Sequence, residues 1–98
     1  MNDNEALELL TQSRGRIDQI DDEIIRLILM RTRLAEDIAN AKMVLGKDIH
    51  DQGREDYIQD KIKTVAEKEN IDPAGLIRIM NILTDLNKDM QRKVYGRK

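Results

Sequence analysis

The sequence predicts an all-α chain of three helices, one of them very long, and three observations lead there. Apolar residues recur at helical spacing from Glu5 to Leu45, with Gly15 as the sole breaker. The five glycines and one proline of the 98 residues fall mostly where helix ends are expected. No segment shows the period-two alternation of a strand, and no repeat or low-complexity stretch appears.

The first helix is expected over about 5–45, with Asp3 or Asn4 as its cap and Gly46 as its stop signal. Gly15 inside a helix costs about 1 kcal/mol relative to alanine, so a break near Ser13 is the alternative to one continuous helix. A loop, Gly46 to His50, follows. Asp51 then caps a helix over about 52–69, with Ile58, Ile62 and Val65 on one face. Asn70-Ile71-Asp72-Pro73 reads as a turn, an N-cap and a proline at the first helical position. The third helix, about 73–95, continues through Leu76, Met80, Leu83, Met90 and Val94 to Gly96, and the Arg97–Lys98 end is expected to fray.

The first helix raises a problem of size. About forty residues of helix span roughly 60 Å, whereas a compact chain of this length is only about 35 Å across. Two shorter helices cannot cover such a stripe, so the chain is expected to form an intertwined helical-bundle homodimer, residues 1–98 making a single domain.

Composition excludes several classes of function. Without cysteine there is no disulfide, thiolate metal site or cysteine nucleophile, and the single histidine, His50, argues against a catalytic triad and any multi-histidine metal centre. Seventeen basic residues against nineteen acidic ones leave a net charge of −2, which speaks against nucleic acid as a partner. With no Phe or Trp, the core must be aliphatic, with Met30, Met43, Met80 and Met90 as filler. No apolar run is long enough for a membrane, and no basic-then-apolar leader is visible, so a cytoplasmic location is expected.

Steps of three and four along the first helix pass through Arg14, Ile17, Asp21, Ile24, Ile28, Arg31, Ala35, Ile38, Lys42 and Leu45. This is the seam that faces a partner helix. Three cations and an aspartate on it are anomalous, because a charge is costly to bury unless it is paired and hydrogen-bonded. Either these side chains snorkel to solvent or pair with carboxylates, or they converge on an anionic ligand. Arg31 and Lys42 are eleven residues apart, hence separated by about 20° in azimuth and roughly 16 Å along the axis. Two such side chains can grip a small molecule. Arg14 lies roughly 25 Å from Arg31 on the same helix, but an antiparallel partner could bring its own Arg14 close.

The other helices carry related anomalies. Glu55 heads the apolar stripe of the second helix, with Arg54 beside it and Asp51 at the cap; capping and dipole compensation are the alternative reading of the two acids. On the third, Asn87 and Gln91 are four apart and continue an apolar line, implying a polar pocket unless the helix end is simply exposed.

These residues, in this order, resemble the all-helical class of chorismate mutases. The resemblance rests on Ser13-Arg14-Gly15-Arg16-Ile17-Asp18-Gln19-Ile20-Asp21, Met30-Arg31-Thr32-Arg33-Leu34-Ala35, Ala41-Lys42, Asp51-Gln52-Gly53-Arg54-Glu55 and Asn87-Lys88-Asp89-Met90-Gln91, and it spans about Leu9 to Gln91. It implies a monofunctional homodimer with two sites, each receiving Arg14 from the partner, and a Claisen rearrangement of chorismate to prephenate in phenylalanine and tyrosine biosynthesis. No metal, cofactor or covalent intermediate is implied. By the same resemblance Arg14 and Arg31 would bind the substrate carboxylates, with Arg54 adding to the cationic field. Lys42 and Gln91 would donate to the ether oxygen, and Glu55, with Asp51 nearby, would hold the ring hydroxyl. Asn87 stands where a serine is familiar, which leaves its own contact open. Gly53 weakens the first turn of the second helix. Within the same fold an isochorismate pyruvate-lyase is the rival reading, disfavoured by Glu55. From another class, a helical dimerisation or regulatory module is disfavoured because it has no need for such a set of pocket residues.

Overall fold

The computed structural model describes residues 1–97 and is all-helical over them: α1 (Asp3–Leu45), α2 (Gln52–Lys68) and α3 (Pro73–Gly96). Among the described residues no helix is long and apolar enough to cross a membrane. The chain falls into two units, one ending at Met30 and one beginning at Arg31.

In the first unit α1 is unbroken through Gly15, where a Cβ would meet nothing within 4 Å. The cap is neither Asp3 nor Asn4. Asn2 Oδ1 accepts from the Glu5 amide at 2.8 Å, one residue before the helix begins. Starting at Asp3 places both Asp3 and Glu5 in the first turn, where their charges meet the positive end of the helix dipole. Leu7, Leu10, Ile17, Ile20 and Ile24 are all exposed. Met30, expected as core filler, is exposed as well, its sulfur accepting from Arg26 Nη1 at 3.1 Å.

In the second unit the helix ends follow local chemistry closely. Gly46 terminates α1 at φ 67°, with Gly46 N–H on the Met43 carbonyl (3.2 Å) and Lys47 N–H on that of Lys42 (2.8 Å). That pair of bonds is a Schellman closure. Asn70 closes α2 in the same way at φ 55°, its amide on Glu67 O (3.2 Å) and that of Ile71 on Ala66 O (2.9 Å). Asp51 and Asp72 cap α2 and α3 as expected, accepting from the amides of Arg54 and Ala74, each at 3.0 Å. Gly96 does not stop α3 by a left-handed turn. It lies within the helix, Arg97 is the C-cap with its amide on Val94 O at 3.2 Å, and the remaining part of the frayed end expected there, Lys98, lies outside the described residues.

The core of this unit is thin. Among the described residues, Ala35, Ala39, Ala66 and Val94 are its buried apolar residues, and no large side chain is fully enclosed. On α2, Ile58 and Ile62 are half-buried, but Val65 is exposed and its neighbour Ala66 takes the inner place. Small residues leave room for polar side chains to reach across. Arg31 Nη1 donates to the Leu83 carbonyl at 2.9 Å, and Asn87 Nδ2 returns a bond to the Arg31 carbonyl at 3.2 Å, joining the end of α1 to α3. Tyr95 Oη donates to the Lys47 carbonyl at 2.8 Å, fixing the α1–α2 loop against the end of α3.

Candidate active site

A pocket of about 460 Å³ opens within the second unit, its lining drawn wholly from residues between Arg31 and Gln91. Leu34, Ile38, Ile49 and Ile58 form apolar walls. The polar lining includes Arg31, Lys42, Asp51, Arg54, Glu55, Asn87 and Gln91, so seven of the residues singled out from sequence meet in one place. Arg14 belongs to the first unit and is exposed there.

The floor is a hydrogen-bonded chain whose polarity is fixed at both ends. The Lys42 ammonium can only donate, and it donates to the Ile49 carbonyl (2.6 Å) and to Gln91 Oε1 (2.9 Å). Gln91 must therefore turn its amide nitrogen the other way, and Nε2 donates to Asn87 Oδ1 at 2.7 Å. The Asn87 nitrogen in turn meets the Arg31 carbonyl, which can only accept. Asn87 is thus bonded to the protein at both ends of its amide, and Gln91 is locked in one orientation. Asn87 and Gln91 are only 9% and 4% exposed, so the exposed-helix-end alternative fails for both. Snorkelling fails for Arg31 and Lys42, which are half-buried and bond to protein carbonyls and an amide.

Electrostatics make the site a receptor for anions. Four cations (Arg31, Lys42, Arg54, Lys88) face two carboxylates (Asp51, Glu55) in the lining, leaving two positive charges unmatched. Burial pushes the Arg31 pKa down, and the nearby Arg54 charge adds to the effect. Burial likewise pushes Lys42 below the ordinary lysine range; the Asp51 and Glu55 carboxylates oppose this, while Lys88 and Lys47 reinforce it. A bound anion would relieve both groups. Asp51 caps α2 and lines the pocket at once, so its two readings do not compete. Arg54 lies over the Tyr57 ring, 5.0 Å from the centroid, a cation–π contact that steadies the guanidinium.

Sequence reasoning missed Lys88 and the part played by His50. Lys88 Nζ lies 2.9 Å from Glu55 Oε2 and 3.0 Å from His50 Nδ1. Thr84, Lys88 and Gln91 share one face of α3 and all line the pocket, a helical spacing that could have brought Lys88 forward. His50 sits in a loop, where no periodicity points to it. Its side chain is 57% exposed, yet its ring faces Glu55.

An all-helical protein with an aliphatic, net-cationic pocket floored by a lysine–glutamine pair is the class that fold and site define. Residues 13–92 match the family model described as chorismate mutase type II. The chain is 40% identical over 87 residues to the chorismate mutase of Methanocaldococcus jannaschii, a match covering 89% of this chain and 88% of that protein. It is 25% identical over 88 residues to the bifunctional chorismate mutase/prephenate dehydratase of Buchnera aphidicola subsp. Schizaphis graminum, covering 90% of this chain and 23% of that longer protein. The chain belongs to the chorismate mutase type II family, whose members are isomerases.

Proposed function

We propose that this pocket binds chorismate and rearranges it to prephenate without a covalent intermediate. In that reaction the ether C–O bond breaks as the enolpyruvyl methylene carbon bonds to the ring, and no atom is gained or lost. Negative charge gathers on the ether oxygen in the transition state. The protein therefore has two tasks, to hold the compact reactive conformer and to place donors where that charge develops.

The observation that carries the reading is the state of Lys42 and Gln91. The ammonium has three hydrogens and spends two on Ile49 O and Gln91 Oε1. The Gln91 amide has two and spends one on Asn87. Each keeps one donor for the ether oxygen, on side chains already held in place, so little reorganisation is needed as charge develops. Arg31 and Arg54 supply the field for the dianion, and Glu55 accepts from the ring hydroxyl. Asn87 holds Gln91 in place through its Oδ1 and, by the same count, keeps one amide hydrogen beyond the one it gives to the Arg31 carbonyl.

The site is completed, in this account, by Arg14 from a second copy in an intertwined dimer, so that residues 1–98 fold as one domain only in company. The support is the exposed apolar stripe of the first unit together with the thin core of the second. Purified protein should convert chorismate to prephenate, and Arg31→Ala should not; consumption without prephenate, or none by a folded protein, would refute the assignment. Co-refolding Arg14→Ala with Arg31→Ala tests the shared site. A hybrid dimer has one intact site, so about a quarter of all sites should be restored. Two variants as inactive together as apart would contradict the shared site.

A further inference from the structure

We propose that Lys88 is a positioning residue for Glu55, dividing that carboxylate into one oxygen held by the protein and one left for the substrate hydroxyl. The inference rests on the reading of Glu55 given above. Glu55 Oε2 lies 3.0 Å from His50 Nδ1 and 2.9 Å from Lys88 Nζ, and the ammonium is itself 3.0 Å from that ring nitrogen. The three atoms form a nearly equilateral triangle.

The proton inventory around the triangle shows what holds it together. Lys88 can only donate, so His50 Nδ1 accepts from it and carries no hydrogen. The ring proton is then on Nε2, which donates to Gln52 Oε1 at 3.0 Å. Gln52 is oriented in turn by its own Nε2, which donates to Asp56 Oδ1 at 2.8 Å. Two acceptors, Nδ1 and an ionised carboxylate oxygen, thus face each other at 3.0 Å with the ammonium as the cation serving both. Without that cation Glu55 Oε2 loses its ammonium partner on the pocket wall, and the carboxylate is freed to turn into the pocket. Oε1 takes no part in the triangle and is the oxygen left for substrate.

Burial separates this contact from an ordinary surface ion pair. The Lys88 side chain is 16% exposed and that of Glu55 25%, both on the pocket wall, so solvent screens the pair weakly. The other charged groups lining the pocket are Arg31 and Lys42 from α1, Asp51 at the α2 cap and Arg54 in its first turn, and of the cations there Lys88 is the one in contact with Glu55.

The experiment is a double-mutant cycle on chorismate turnover with parent, Lys88→Met, Glu55→Gln and the double variant, with Lys88→Arg as rescue. Methionine keeps the length and loses the charge. Lys88→Met should lower kcat/KM by about tenfold in the parent, Lys88→Arg should recover most of that loss, and Lys88→Met should change little once Glu55 is Gln. Equal losses in both backgrounds would overturn the proposal, because a lysine that touches a substrate carboxylate directly, or merely packs the wall, does not need Glu55. A parent that leaves chorismate untouched would refute the mutase reading instead. The pairing is then read from the melting temperatures of the same four proteins, where strictly additive shifts would overturn it.

Discussion

The two parts of α1 belong to different physical regimes. Before Met30 the helix is held by propensity, an Asn2 cap and exposed local pairs such as Glu23 with Arg26. From Arg31 on, the same helix is tied to α3 by reciprocal side-chain bonds to main-chain carbonyls and by the Lys42–Gln91 contact. The first part carries exposed apolar side chains; the second buries two amides and half-buries the Arg31 and Lys42 charges beside a small apolar core. A chain that gives two of its few buried positions to amides aimed at one pocket has specified a site there.

The contrast can be broken from either side. The largest effect is expected at Lys42: if it donates to the developing oxyanion as proposed, Lys42→Ala should cost on the order of 10²–10³ in kcat. Steady-state rates equal to those of the parent would remove Lys42 from the chemistry. Next comes Asn87→Leu, which frees both Gln91 and the Arg31 carbonyl and should lower kcat by about tenfold, with little further loss once Gln91 is Ala.

A smaller effect is expected in the pH profile. Lys42 must be charged to donate, and burial lowers its pKa, so kcat/KM should fall as pH rises through a value below the ordinary lysine figure of about 10.4. Asp51 holds that value up, so Asp51→Asn should move the alkaline limb lower still, whereas Lys88→Met, which removes an opposing positive charge, should move it higher. The reverse order would contradict this picture of the field. The smallest effect lies in the first unit: Gly15→Ala meets open space and should stabilise the protein to heat by about 0.5–1 kcal/mol. A lower melting temperature would mean that a neighbouring chain approaches the helix at Gly15.

How far the molecule could be read from its sequence depended on whether a feature was local or periodic. Asp51, Asp72-Pro73 and Gly46 mark helix ends by their own chemistry, and they stand where expected. Arg31 and Lys42 were visible because a charge interrupts an apolar period, and both reach the pocket. Asn70 closes α2 in the left-handed region inside the turn read from sequence, a conformation asparagine tolerates better than most side chains. Val65 and Met30 misled because periodicity says which residues share a face, not whether another element covers it. Lys88 and His50 escaped for another reason. Their significance lies in a triangle whose corners come from a loop and two helices, and no spacing within one element encodes it.

The proposed reaction needs Gln91 to donate to the ether oxygen, and the pH–rate profile of Gln91→Glu tests that most directly. A carboxylate there can only accept, and the adjacent Lys42 ammonium favours the ionised form. Activity should therefore be lost near neutrality and recovered as the solution is made acidic and the new carboxyl takes a proton it can donate. A profile superimposable on that of the parent would contradict the placement of Gln91 at the breaking bond.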